Sequence, residues 1–159
     1  KVSGPLFERI DLHIEAESLS MNDLIALEPG ESSESIRKRV IAARKIQSAR
    51  YKDLEDVHCN AQMPDAYIDS FCNIESHARK FLLKTIDMLQ LSVRSYCRIL
   101  KVSRTIADLV TSDAIELQHV AEAIHLRNLD KPLIIPYQKS IAKKNTPTDY
   151  ITELLNEKI

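Results

Sequence analysis

Two glycines in 159 residues, Gly4 and Gly30, leave this chain almost none of the tight turns that a sandwich or barrel needs at every strand connection. With only six prolines beside them, turn-forming residues are scarce and the composition favours helices. The length suits one hydrophobic core, and 44% hydrophobic with 28% charged residues is the balance of a soluble globular protein. A formal net charge of -1 supplies no global field for nucleic acid or membrane, so any such partner must be held by a local patch.

Cys59, Cys72 and Cys97 form no CxxC pair and no Cys/His ladder, so they read as reduced thiols and no metal site is expected. There is no basic-then-apolar leader, and charge interrupts every apolar stretch well before membrane-spanning length. A cytoplasmic location without membrane contact is the expectation. Lys1-Val2-Ser3-Gly4-Pro5 runs without an initiator Met into a strand-like segment, as a chain would that starts inside a larger domain.

That segment, Ile10 to Glu15, alternates apolar with polar residues, the period of a half-buried strand whose partners would lie upstream. After Pro29-Gly30 the period changes to that of a helix. Ser32 or Ser33 can cap a helix running to about Tyr51, with Ile36, Val40, Ala43 and Ile46 on one face. Its other faces hold Arg37, Lys38, Arg39, Arg44, Lys45, Arg50 and Lys52, either a solvated surface or a contact for DNA or phosphate. Residues 52–64 read as a loop. A second helix is expected over Glu75 to Gln90 with Ala78, Phe81, Leu82, Ile86 and Leu89 buried. Ser92 caps a third, to about Val110, with Tyr96, Ile99, Leu100, Ile106 and Leu109 inward. A fourth spans roughly Gln118 to Asn128. Pro132 to Pro136 is expected to lie extended, and Thr148 can cap a last short helix.

No phosphate loop, nucleophile elbow, HExxH or framed carboxylate pair occurs, and the five histidines are scattered. Catalysis by this chain alone is therefore not expected. The suggestive groups are arginines. Arg94 falls in the first turn of the third helix, where a guanidinium and the free N–H groups can meet a phosphate together. Arg94, Arg98 and Lys101 follow at i, i+4 and i+7. Arg104 either joins them or pairs with Asp108 one turn on. Arg9, just ahead of the strand, could reach a phosphate on a neighbouring subunit or pair with Glu8 or Asp11.

Ser3-Gly4-Pro5-Leu6-Phe7-Glu8-Arg9-Ile10-Asp11-Leu12-His13 resembles a stretch of the magnesium-chelatase-like AAA+ ATPases of the ComM/YifB type, with Phe7 in place of the usual Leu. Gly30-Glu31-Ser32-Ser33, Ile36-Arg37-x-Arg39-Val40 and Cys59-Asn60-Ala61-Gln62 resemble that family's next blocks. So do Leu91 to Tyr96, Arg98 to Leu109, His119 to Ile124 and Arg127-x-Leu129-Asp130, in order, while nothing past Lys131 is matched. The resemblance implies a mainly α chain: a four-helix lid-type bundle, one N-terminal strand left from a truncated α/β core, and an irregular C-terminal tail. The implied domains are 1–28, the end of the AAA+ core and linker; 29–130, the helical lid with sensor 2; and 131–159, an extension.

By the same resemblance Arg9 matches the arginine finger acting in trans and Arg94 the sensor-2 arginine on an ATP phosphate. Arg98 and Arg104 are further phosphate candidates on that helix. ATP and Mg²⁺ would be bound by the intact parent, with none expected on this chain alone. The implied partners are the upstream ATPase core, neighbouring subunits of a ring, usually a hexamer, and DNA, moved by translocation or branch migration in transformation and recombination. Two readings compete: a protein-remodelling or chelatase-type ATPase with no DNA role, and a non-catalytic helical interaction module.

Overall fold

The computed structural model describes residues 9–14 and 30–127. Within them lie five α-helices: α1 (Ser33–Arg50), α2 (Ile68–Phe71), α3 (Ser76–Leu89), α4 (Val93–Leu109) and α5 (Leu117–His125). Two 3₁₀ turns, Asn60–Gln62 and Asp65–Tyr67, lie between α1 and α2. The described chain is thus mainly helical, four longer helices and one short one. The Pro132 to Pro136 stretch and the helix assigned to Thr148 fall outside the described residues.

The helix starts follow from their caps. Ser32 Oγ accepts from the Ser35 N–H at 3.3 Å, and Ser92 Oγ from the Ser95 N–H at 3.2 Å, each satisfying one of the N–H groups a helix leaves open. Glu31 adds a clasp on α1, accepting from the Ser35 hydroxyl and from both terminal nitrogens of Arg39 at 2.7 and 2.8 Å. At the start of α5 the Glu116 N–H donates to His119 Nδ1 at 3.0 Å, while the Glu116 carboxylate accepts from Ser112 Oγ at 2.9 Å. That bond fixes His119 as the neutral Nε2–H tautomer, and burial, aided by the Arg104 charge, disfavours its protonation.

α4 is the central element: α1, α2, α5 and the Asn60–Gln62 turn pack on it, and α3 packs on α5. The core gathers Leu82, Ile99, Leu100, Ile115 and Val120, all fully enclosed, each stabilising the fold by roughly 1.5–3 kcal/mol through removal of its side chain from water. Tyr51 closes one end and meets Phe71 edge-on, ring centroids 5.1 Å apart. A single parallel bridge joins Ile74 to Ile115. The Ile115 N–H donates to the Asn73 C=O at 2.7 Å, and the Glu75 N–H to the Ile115 C=O at 3.0 Å. This couples the segments that launch α3 and α5.

Scarcity of glycine shows at the turns. Asp56, Gln90 and Thr111 all have positive φ, at 61°, 51° and 58°. Thr111 follows the last turn of α4, where its N–H reaches the Asp108 C=O and the next N–H reaches the Ala107 C=O, the two bonds of a Schellman motif. A β-branched residue is a poor fit to that backbone. Thr111→Gly is therefore expected to raise stability by about 0.5–1 kcal/mol, read as a higher urea midpoint at unchanged slope.

Three sequence expectations need correction. Over 10–14 the chain is irregular, with a turn at Arg9 and a bend at Asp11 and no strand, and its burial is out of phase with the alternation: His13 is buried while Ile10, Leu12 and Ile14 are exposed. The reason is that its backbone bonds to helix ends, with the His13 N–H on the Leu126 C=O at 2.6 Å. In α1 the covered positions are Ala43 and Gln47, while Ile36 and Val40 stay about half exposed because α1 meets α4 through its second half. Leu109, expected inward, is 40% exposed, since Arg104 and Asp108 occupy the inner face of that last turn.

Candidate functional site

The amino-terminal end of α4 is where the sequence-expected arginines can be judged. Arg94 stands exposed in the first turn beside the open N–H groups, and among the described residues no side chain pairs with it. One turn on, Arg98 is committed: it donates to the Arg9 C=O at 3.0 Å and to the Asp11 carboxylate. Arg127, 5% exposed, donates to the C=O groups of Ile10 and Asp11 at 2.9 and 3.3 Å. Two guanidinium groups therefore fasten residues 9–11 across the ends of α4 and α5, and the Arg9 side chain is left in solvent. Lys101 turns away to Asp65 at 2.7 Å, so the three-cation face expected at i, i+4 and i+7 reduces to Arg94 as its unpaired member.

Loss of the Arg98 clamp should act locally. Because the pair is half exposed, Arg98→Ala is expected to cost under about 1 kcal/mol of global stability. It should nonetheless free residues 9–14, seen as faster amide exchange at His13 with protection in α4 unchanged.

Arg104 lies elsewhere. It is 1% exposed, its Nε donates to Asp108 at 3.0 Å, and its terminal nitrogens donate to the Asp113 and Ser112 C=O groups at 2.8 and 2.5 Å. Of the two sequence readings, the pairing with Asp108 is the one the structure displays. Asp108 also takes a two-pronged bond from Arg50 of α1, and its Oδ2 accepts from Asn60 Nδ2 at 2.8 Å. Asn60 in turn accepts from the Tyr51 hydroxyl at 2.7 Å and from Arg50 at 2.9 Å, and donates to Thr105 at 3.0 Å. Burial alone would raise the Asp108 pKa, but the bonds from Arg50 and Asn60 and the two guanidinium charges hold it below the usual carboxylate range.

Sequence reasoning missed the roles of Arg50, Tyr51 and Asn60 in this knot. Arg50 was placed on the basic outer face of α1, whereas its side chain is only 15% exposed. The available signal was the Cys59-Asn60-Ala61-Gln62 block, whose polarity suggests a loop although Asn60 is 1% exposed. Elsewhere on α1, Lys38 pairs with Glu34 at 2.9 Å and Arg39 with Glu31, while Arg37, Arg44, Lys45 and Lys52 remain exposed. Among the described residues no three His, Cys, Asp or Glu side chains gather around one point, and no helix is long and apolar enough to cross a membrane.

Residues 30–127, well over half of the chain, match the family described as magnesium chelatase, subunit ChlI C-terminal. The chain is 40% identical over 136 residues to the protein named YifB of Escherichia coli strain K12, covering 84% of this chain and 26% of that one. It is 39% identical over 128 residues to competence protein ComM of Haemophilus influenzae, covering 80% and 24%. The relative Rv2897c of Mycobacterium tuberculosis is 30% identical over 127 residues, covering 80% and 25%. The chain thus spans about a quarter of the length of these relatives. With all five described helices matched, this chain belongs to the magnesium chelatase subunit ChlI C-terminal family, as a C-terminal region of the ComM/YifB type.

Proposed function

We propose that this chain is the lid of a ring-forming AAA+ ATPase, with Arg94 as the sensor-2 group and Arg9 as an arginine finger for the adjacent subunit. The observation that carries the reading is the division of labour among the arginines: Arg98, Arg104 and Arg127 are bonded to other parts of the chain, while Arg9 and Arg94 stay in solvent near the same end of α4. A guanidinium held at a helix start beside open N–H groups suits a phosphate. ATP with Mg²⁺ would supply the phosphoryl group and its charge-neutralising ion, bound chiefly by parts of the longer parent that this chain does not include. The chain's own share is to place Arg94 on one phosphate and, through the Arg98 and Arg127 clamp, to fix how far Arg9 projects.

Likeness to a competence protein favours DNA as the material moved, and the exposed Arg37, Arg44, Lys45 and Lys52 of the α1 region offer backbone phosphates a contact. The test is ATP hydrolysis by the intact parent with and without single-stranded and forked DNA. Stimulation by DNA is expected. Hydrolysis indifferent to DNA would assign the parent to protein remodelling or a chelatase-type role.

A further inference from the structure

Between the second half of α1 and the Asn60–Gln62 turn lies a groove of about 260 Å³, walled by Val40, Ala43 and Leu109. Three chemically distinct groups line it: the Arg44 guanidinium, the Gln47 carboxamide and the Cys59 thiol. Gln47 is the unusual one. It is 3% exposed and its side chain makes no hydrogen bond among the described residues, so whatever its amide bonds, water or a guest, reaches it from outside the fold. A polar guest in the groove would supply that partner.

We propose that Cys59 is a modification site, forming a mixed disulfide with small anionic disulfides that enter this groove, where Arg44 receives the anion and Gln47 hydrogen-bonds the retained half. The Cys59 thiolate attacks one sulfur of the incoming disulfide. The old S–S bond breaks as the new one forms, and the other half leaves as a thiolate that takes a proton from water. The small disulfide is the oxidant: its released sulfur keeps the electron pair of the broken bond and becomes a thiolate, its retained sulfur stays at the disulfide level, and the Cys59 sulfur rises to that level.

The surroundings favour the reactive form at this cysteine and not at the other two. Burial opposes a thiolate at Cys59, but the Arg44 side chain and the Gln62 and Ala61 N–H groups outweigh it, so its pKa is lowered. As a thiol it makes only a long contact to Gln62 Oε1, 3.6 Å. Cys97 is similarly part-exposed, yet burial and the Asp65 carboxylate push its thiol up. Cys72 is buried and pushed up to about 11.

The experiment uses the folded 159-residue chain with two aliphatic disulfides as probes, anionic 3,3′-dithiodipropionate and cationic cystamine, each rate taken relative to the same probe on the urea-unfolded chain and each adduct located by peptide mass spectrometry. Cys59 should be modified about tenfold faster than Cys97 or Cys72, and faster by the anionic probe than by the cationic one, with the site preference vanishing in urea. Arg44→Ala should erase the preference for the anion, and Gln47→Leu should slow adduct formation, both with circular dichroism unchanged. Equal rates at Cys59 and Cys97 in the folded chain, or an anion preference that survives Arg44→Ala, would overturn the proposal.

Discussion

On the proposed lid function, Arg94→Ala in the intact parent is expected to lower ATP turnover on the order of a thousandfold while leaving the helical bundle folded. The size of the effect comes from where charge accumulates. As a phosphoryl group transfers, negative charge spreads over its oxygens, and a guanidinium waiting there stabilises that charge with little reorganisation. If Arg94 instead formed only surface contacts, its removal would change stability by about 0–1 kcal/mol and turnover hardly at all. Arg9→Ala is expected to match it in turnover. The two are separable by mixing: a finger acts on a neighbour's nucleotide, so Arg9→Ala subunits doped into wild-type rings should depress activity more steeply than their fraction. Turnover unchanged in both variants would leave the helical interaction module as the reading of this chain.

Asp108→Ala is the expected extreme in stability. Removing the carboxylate leaves Arg50 and Arg104 facing each other in a buried site with Asn60 half satisfied, a change that typically costs roughly 3–5 kcal/mol. Against the 5–15 kcal/mol that holds a typical domain together, about a fifth or more is lost. Urea unfolding should show a much lower midpoint. Asp108→Asn keeps the volume and tests charge alone; it should fall between wild type and Asp108→Ala. If Asp108→Asn unfolds with the wild-type midpoint, the knot is held by shape and not by charge.

The same residue sets an acid limit. Its folded pKa lies below the unfolded value of about 3.9, so its contribution is complete above that value and is lost as pH falls through it toward the folded pKa. His119 acts in the same direction over a higher window. Its folded pKa is depressed below about 6.5, so the unfolded chain takes up a proton first and stability declines as pH drops below that point. Stability followed from pH 8 to 3 should therefore fall in two stages, and His119→Gln should remove the upper one.

Much of this fold was legible because apolar stripes and caps agree. Ser92 with Ile99, Leu100 and Ile106 marks α4, and Ala78 with Leu82 marks α3, at the boundaries observed to within a residue or two. What stayed hidden is polar. The buried face of α1 carries Gln47 and Arg50, which no hydrophobic period reveals, and the loop at 52–64 owes its order to Asn60 entering a network built by residues nine to nearly fifty positions away. At 10–14 the alternation was real, but tertiary bonds to α4 and α5 decided the outcome. For the site, i, i+4 spacing located Arg94 and Arg98 but not their partners, since Asp11 is remote in sequence. Arg104 was undecidable from spacing alone, as Asp108 and a phosphate would both suit it.

The knot around Asp108 sits at the carboxyl end of α4 and Arg94 at the other. At 1.5 Å per residue the helix between them is roughly 21 Å long, and a tilt of about 5° carries one end about 2 Å relative to the other. That travel is the difference between a hydrogen bond and none. A tilt of α4 that moves Arg94 by that much would therefore also be felt by α1, which is joined to the other end of α4 through Arg50.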